Sequence, residues 1–468
     1  DVLATYLRWR FVPAPLAIYK GVQKLLPGHV LEWATGAATP RIAPYWQVPN
    51  GAVAPQDFSE DEAVDRLEAL LRDAVGRRMI ADVPIGSFLS GGIDSSLIVA
   101  LMQAQSARPV RTFSIGFADA GYDEAPHARA VAAHLGTDHI ELYVEPADAL
   151  ALVPHLPETY DEPFADASQL PTCLLAKLTR NHVTVALSGD GGDELFAGYR
   201  HYSKAERSWR RIHAIPNPLT MFAARHLEQL RRHVERGSNS AFRIRMPSAA
   251  RLEHWSQILG AQNERAFYYL QRSQWYRPEA LVRSSCERVT IPALGLNEDV
   301  DFLTKMQLMD FLCYLPDDIL TKIDRATMAV ALEARVPLLD HRVVQMAMQL
   351  PRSLKNRQGR GKWILRQILS RHVPPHLVDR PKSGFSVPMG RWLRGPLRDW
   401  AENLLDEQRL QAEGYFCVEP LRERWRQHLA GERDWQAHLW TVLMFQEWQQ
   451  HQVALPLDVC LTRQAIHA

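Results

Sequence analysis

Short apolar runs alternate with amphipathic stretches between residues 84 and 190. Ile85–Leu89, Val110–Phe117, Ile140–Val144 and Val183–Leu187 have the apolar and β-branched character of buried strands. Leu97–Gln105, Glu124–Leu135 and Ala167–Arg180 have the pattern of helices. Strand–helix alternation of this kind predicts an α/β fold, a parallel twisted sheet flanked by helices. Ligands in such sheets bind beyond the carboxyl ends of the strands, so chemistry is expected just after Leu89, Phe117 and Leu187. Upstream, Ser59 and Glu62 stand at the spacing of a capping box. Val64, Leu67, Leu70, Leu71 and Val75 follow at helical period, so a helix is expected to begin there.

The flanks differ from this core. Residues 1–56 begin with a helix-like stretch. Turn-rich pieces follow, Val12-Pro13-Ala14-Pro15, Leu26-Pro27-Gly28-His29 and Pro44-Tyr45-Trp46, with a linker near Pro49–Gln56. From about 200 onward no strand period stands out, and a mostly helical C-terminal extension is expected. The arginines of 205–260, including Arg210-Arg211 and Arg231-Arg232, read as a solvated helical face. The division expected is 1–56, a core at 57–200, a helical part at 201–450 and a tail at 451–468.

Composition narrows the class. The 468 residues are 46% hydrophobic and 23% charged, a globular average that excludes disordered and fibrous chains. The balance of 54 basic against 53 acidic side chains argues against a polyanion partner, so no nucleic acid is expected. The five cysteines, at 173, 286, 313, 417 and 460, are scattered without a CxxC pair, as in a reducing, cytoplasmic setting. No apolar run approaches the roughly 18 residues of a membrane span, so no membrane is expected either.

Candidate chemistry sits at the strand ends. Leu89-Ser90-Gly91-Gly92-Ile93-Asp94-Ser95-Ser96 leaves a strand and enters a helix. Paired glycines expose backbone N–H groups, three serines add hydroxyls, and the helix N-terminus adds positive potential, together a cradle for phosphate. Asp94 suits a phosphate-bound divalent cation. Neither GxxxxGKS/T nor GxGxxG is present. SGGIDSS resembles the pyrophosphate loop of enzymes that split ATP into AMP and pyrophosphate. A second loop, Ser188-Gly189-Asp190-Gly191-Gly192-Asp193-Glu194-Leu195-Phe196-Ala197-Gly198-Tyr199, resembles the SGxGxDExFxGY motif of the asparagine synthetase family. Leu315-Pro316-Asp317-Asp318-Ile319-Leu320, Asp324-Arg325, Glu333-Ala334-Arg335-Val336-Pro337, Gly361-Lys362 and Arg380-Pro381-Lys382-Ser383-Gly384-Phe385 resemble further motifs of that family in order. The likeness extends over roughly residues 60 to 450.

The resemblance implies an adenine nucleotide alpha-hydrolase-like fold and an ATP-dependent ligase. Such an enzyme adenylates a carboxylate, aspartate foremost, and transfers it to ammonia. It implies that Ser90, Gly91, Gly92, Ser95 and Ser96 hold pyrophosphate. Leu89, Ile115, Ser188 and Gly189 would contact adenine and ribose, and Asp94 and Asp193 would bind Mg²⁺ between ATP phosphates. Lys362 is implied as the cation at the reacting phosphates, with Arg325 a second basic position. Asp190 stands where these enzymes often carry Glu, as a base for the ammonia proton; its shorter side chain leaves the acceptor open. A sugar acid or cell-wall precursor is the alternative acceptor, and an inactive nucleotide-binding module the alternative class. Glu333 and Arg335 are expected to form a structural ion pair. Residues 1–46 resemble the end of the N-terminal glutaminase domain fused in this family, whose nucleophile is an N-terminal cysteine. With Asp at position 1, the expectation is a chain cut from a longer one and fed by free ammonia. A homodimer is compatible with the family.

Overall fold

In a computed structural model, the described residues are 1–49, 59–117, 123–235, 249–283, 297, 299–380 and 387–454. Most of the linker, residues 50–56, residues 381–385 of the late motif and most of the tail lie outside them. So do Cys286 and Cys460, while Cys173, Cys313 and Cys417 are free thiols.

The strands are β1 (His29–Glu32), β2 (Arg41–Pro44), β3 (Ile85–Phe88), β4 (Arg111–Phe117), β5 (Asp138–Val144), β6 (Val185–Leu187), β7 (Glu333–Arg335), β8 (Asn356–Arg357) and β9 (Arg360–Gly361). Five of them form the central sheet in the order β5-β4-β3-β6-β7, every pairing parallel. The order reverses between β3 and β6, so the crevice at this switch point opens between the loops after Phe88 and Leu187. Polar groups inside the sheet are satisfied across it: the buried Ser87 hydroxyl donates to Leu187 O at 3.0 Å.

Helices α1 (Val2–Trp9), α2 (Glu60–Met79), α3 (Ile93–Gln103) and α4 (Ala125–Leu135) come first in the chain. The capping box at Ser59 and Glu62 forms as expected. Leu67 and Leu71 of α2 pack in one core with Leu97 and Leu101 of α3 and with Ile364, Leu365 and Ile368 of the helix Trp363–Ser370. A second core joins α1 to the C-terminal helix Gln436–Ala454: Tyr6 and Leu7 are fully buried, and Tyr6 OH donates to Thr441 O at 2.7 Å.

Two differences from the sequence expectations bear on the site. Helix α3 starts at Ile93, four residues before the expected Leu97, because Gly92 takes the extended backbone of an N-cap. Asp94 and Ser95 therefore stand on its first turn. The sheet also gains β7 from the half expected to be helical. Its three residues, Glu-Ala-Arg, have no apolar period, and Glu333 N donates to Thr184 O at 2.9 Å to start the pairing.

Lys355, only 2% exposed, precedes the β8–β9 hairpin. Burial pushes its ammonium down to about 8, with the Asp301 carboxylate opposing the drop. The unfolded chain holds this proton up to about pH 10.4. Stability should therefore rise with pH between about 8 and 10.4, and the burial penalty applies fully below 8. Lys355→Met should raise the urea midpoint at pH 7, the unfolding free energy growing by on the order of 3 kcal/mol at most, with the advantage fading by pH 10.5. Equal midpoint differences at both pH values would refute this.

Candidate active site

A cavity of about 840 Å³ lies at the carboxyl ends of β3, β4 and β6. Its first wall is the loop after β3. Ser90 N donates to Ser95 Oγ at 3.2 Å, the two hydroxyls meet at 3.0 Å, and Gly92 N donates to Ser90 Oγ at 3.3 Å. Ser90, Gly92, Asp94 and Ser95 line the cavity with Leu89 and Ile115. Gly91 and Ser96 stand behind that lining, Ser96 fully buried in the first turn of α3.

The second wall is the loop after β6, from which Ser188, Gly189, Asp190, Gly191 and Asp193 face the cavity. Ser188 Oγ donates to Asp190 Oδ2 at 2.5 Å, which fixes that carboxylate beside the strand end. Glu194 is 1% exposed and accepts from Tyr199 OH at 2.7 Å. Burial, and then the charge of Asp193, push its carboxyl up to about 7.

Lys362 comes from far along the chain. The β8–β9 hairpin leads into it, and it caps the helix Trp363–Ser370 in a left-handed conformation with φ 59°. Its N–H donates to Phe196 O at 2.8 Å, which ties the hairpin to the second loop. The approach is so close that a Cβ on Gly361 would lie 2.0 Å from Ala197 O. The buried ammonium meets Asp94 Oδ2 and, at 2.7 Å, Asp193 Oδ1. Burial works against the charged amine, but the Asp193 and Asp94 carboxylates more than reverse that and hold its pKa well above the ordinary value.

The cavity is also lined by groups to which the sequence reading gave no role, among them Arg10, Asp166, Lys322 and Arg380. Lys322 Nζ donates to Asp166 Oδ2 at 3.2 Å and to Ser168 Oγ at 2.8 Å. Arg10 approaches the fully buried Asp318 at 3.4 Å. Burial and the neighbouring Asp166 push the Asp318 carboxyl up to about 8. Burial opposes the ionised form of Asp166 too, yet Lys322 and Arg10 hold its carboxyl well below the usual range. Asp317, Asp318 and Tyr314 belong to a π-helical stretch, Asp310–Leu320, that contains Pro316. Arg380 also faces the cavity and donates to Ser90 O at 3.0 Å. Two signals pointed towards these groups: Lys322 stands three residues before Arg325, and Arg380 opens the late motif.

Thus Leu89, Ser90, Gly92, Asp94, Ser95, Ile115, Ser188, Gly189, Asp190, Asp193 and Lys362 share one cavity. Arg325 stands apart: its guanidinium is 47% exposed, 3.6 Å from Asp161 and 3.7 Å from Asp324, outside the cavity lining. Glu333 and Arg335 form the expected ion pair at 2.7 Å.

The fold and this site define a member of a family of ATP-dependent amide-forming ligases. The family model for asparagine synthase matches residues 66–450, and the chain belongs to that family. It is 32% identical over 459 residues to asparagine synthetase [glutamine-hydrolyzing] 1 of Bacillus subtilis, covering 96% of this chain and 68% of that protein. A homologue from Mycobacterium tuberculosis is 34% identical over 451 residues, covering 95% of this chain and 66% of its own length. Human asparagine synthetase [glutamine-hydrolyzing] is 25% identical over 468 residues, covering 94% of this chain and 60% of that protein. The chain thus spans about two thirds of the length of the two bacterial relatives. Among the described residues no helix is long and apolar enough to cross a membrane.

A Cβ on Gly198 would lie 2.1 Å from both Asp193 Oδ1 and Lys362 Cε. Gly198→Ala should displace the ammonium and lower ATP-dependent amide formation by ~100-fold, since a misplacement of about 1 Å costs that much. Its melting temperature should fall by only a few degrees. Unchanged turnover would show that the position of Lys362 is not needed.

Proposed function

We propose that this chain amidates a carboxylate, aspartate foremost, through an acyl-adenylate. The carrying observation is the Lys362 ammonium held between Asp94 and Asp193 where two glycine-rich loops converge. A carboxylate oxygen of the acceptor attacks the α-phosphorus of ATP, and the bond to the bridging oxygen breaks, releasing pyrophosphate. Ammonia then attacks the acyl carbon and AMP leaves with its phosphate oxygen. The amide nitrogen gives up one proton, for which Asp190 is the acceptor.

Each residue has a physical task in this scheme. Ser90, Gly91, Gly92, Ser95 and Ser96 form the loop for pyrophosphate, whose charge grows as it departs. Leu89, Ile115, Ser188 and Gly189 offer the surface for adenine and ribose. Lys362 neutralises the reacting phosphates. Asp94 and Asp193 suit Mg²⁺, which needs one or two carboxylates and completes its shell with phosphate oxygens and water. When bound, that ion supplies charge neutralisation to the phosphates.

The test is to incubate the protein with ATP, Mg²⁺, ammonium and a panel of amino and sugar acids. AMP and pyrophosphate should appear in equal amounts with asparagine. ADP and phosphate would overturn the reading, and a sugar acid outperforming aspartate would replace the acceptor. Lys362→Met should lower the rate ~1000-fold, as expected for loss of a preorganised transition-state charge.

A further inference from the structure

Arg380 and Glu124 form an ion pair on the cavity wall to which the scheme above gives no task. Arg380 Nη2 donates to Glu124 Oε1 at 3.3 Å and to the carbonyl oxygen of Ser90, the first serine of the phosphate loop, at 3.0 Å. Both side chains are largely buried, 19% and 12% exposed. Nε of the same guanidinium is buried and meets no hydrogen-bond acceptor among the described residues. A guanidinium carries five N–H donors, so this one keeps a donor for a further anion.

The local fold brings this pair to the loop. Glu124 caps α4, its carbonyl accepting from His127 N at 3.1 Å and from Ala128 N at 3.2 Å. Gly91 packs on that same turn with φ 71°, where a Cβ would lie 2.7 Å from His127 C and 2.8 Å from Ala128 N. Val378, two residues before Arg380, is buried in one core with Ala128 and Val131 of α4. The guanidinium and the carboxylate thus reach the loop from one packed unit. Two other arginines of the cavity are engaged elsewhere. Asp379 accepts from Arg360 Nη2 at 2.6 Å and from Arg366 Nη1 at 3.1 Å, and Arg366 Nε donates to Gly361 O at 3.2 Å. Arg380 instead touches the phosphate loop itself.

We propose that Arg380 binds the leaving pyrophosphate and that Glu124, the anion already on that guanidinium, competes with it and so loosens the product. This rests on the amide-forming reading above and adds a control on its leaving group. As the bond from the α-phosphorus to the bridging oxygen breaks, the electron pair goes to that oxygen, and the new charge spreads over the pyrophosphate. A charge-assisted bond from Arg380 gains strength as that charge grows. A product held by Lys362, the loop and Arg380 together would leave slowly, and release of product often limits turnover. A carboxylate on the same guanidinium lowers the net gain, because pyrophosphate must displace it. The two side chains therefore act on product affinity in opposite directions.

The test is calorimetric titration of the full chain, in excess Mg²⁺, with pyrophosphate and separately with AMP, which lacks the β- and γ-phosphates. Arg380→Met should lose ~10–100-fold in affinity for pyrophosphate, as for a lost charged hydrogen bond, with affinity for AMP little changed. Glu124→Gln, which keeps the shape and removes the charge, should bind pyrophosphate ~2–5-fold more tightly, the worth of a partly exposed ion pair. Arg380→Lys, which keeps the charge, should fall between Arg380→Met and the unaltered protein. A pair that merely shapes the loop would weaken pyrophosphate binding in both Arg380→Met and Glu124→Gln, and that result would overturn the proposal. Equal losses for pyrophosphate and AMP in Arg380→Met would overturn it as well. If the unaltered protein releases AMP and pyrophosphate from ATP and the variants hold pyrophosphate as it does, this inference alone falls. Absence of AMP with every acid in the unaltered protein would instead sink the reading beneath it.

Discussion

The site depends on one buried ion triad. Lys362, 7% exposed, stands between Asp94 from the loop after β3 and Asp193 from the loop after β6. Its members come from segments about 100 and 170 residues apart in the chain. Removing Lys362 would strand two buried carboxylates without their counter-charge, a loss that typically costs about 3–5 kcal/mol. The triad therefore acts as a clasp. Through Lys362 the helical half of the chain is tied to both loops at the switch point of the sheet.

Much of the neighbouring backbone serves this clasp. The β8–β9 hairpin brings Lys362 in, and the contact of its N–H with Phe196 O sets the height at which the ammonium enters. The extended backbone at Gly92 lets α3 begin early enough to place Asp94 on the first turn. There the carboxylate profits from the helix N-terminus as well as from the ammonium. Gly198 leaves room for Asp193 and the Lys362 side chain to pass one another.

What could be read from the sequence follows from how local each signal is. Strands β3, β4 and β6 were legible because they are buried on both faces and carry unbroken apolar runs. The two glycine-rich loops were legible because their chemistry is contiguous. Strand β7 was not, since Glu-Ala-Arg earns its place by pairing with β6, a fact no local pattern contains. Lys362 was found through its motif. Lys322 was passed over for Arg325, because sequence shows two basic residues three apart and cannot say that one meets Asp166 inside the cavity while the other meets Asp161 and Asp324 outside its lining. Arg10 carried no signal at all. Its partner, Asp318, lies 308 residues away.

Along the cavity wall, charged groups of opposite sign stand in contact with one another. Lys362 is matched by Asp94 and Asp193, and Lys322 by Asp166. A cavity lined by bare charges of one sign would destabilise the fold through repulsion and desolvation. A cavity of paired charges avoids that cost and still offers each ion to an incoming partner of opposite sign. On the proposed reading, phosphate oxygens that take over Lys362 leave two carboxylates without their counter-ion, and those carboxylates are the donor set that suits a divalent cation. Nucleotide and cation would then favour each other's binding, because the cation replaces the counter-charge that the phosphates take from the two carboxylates.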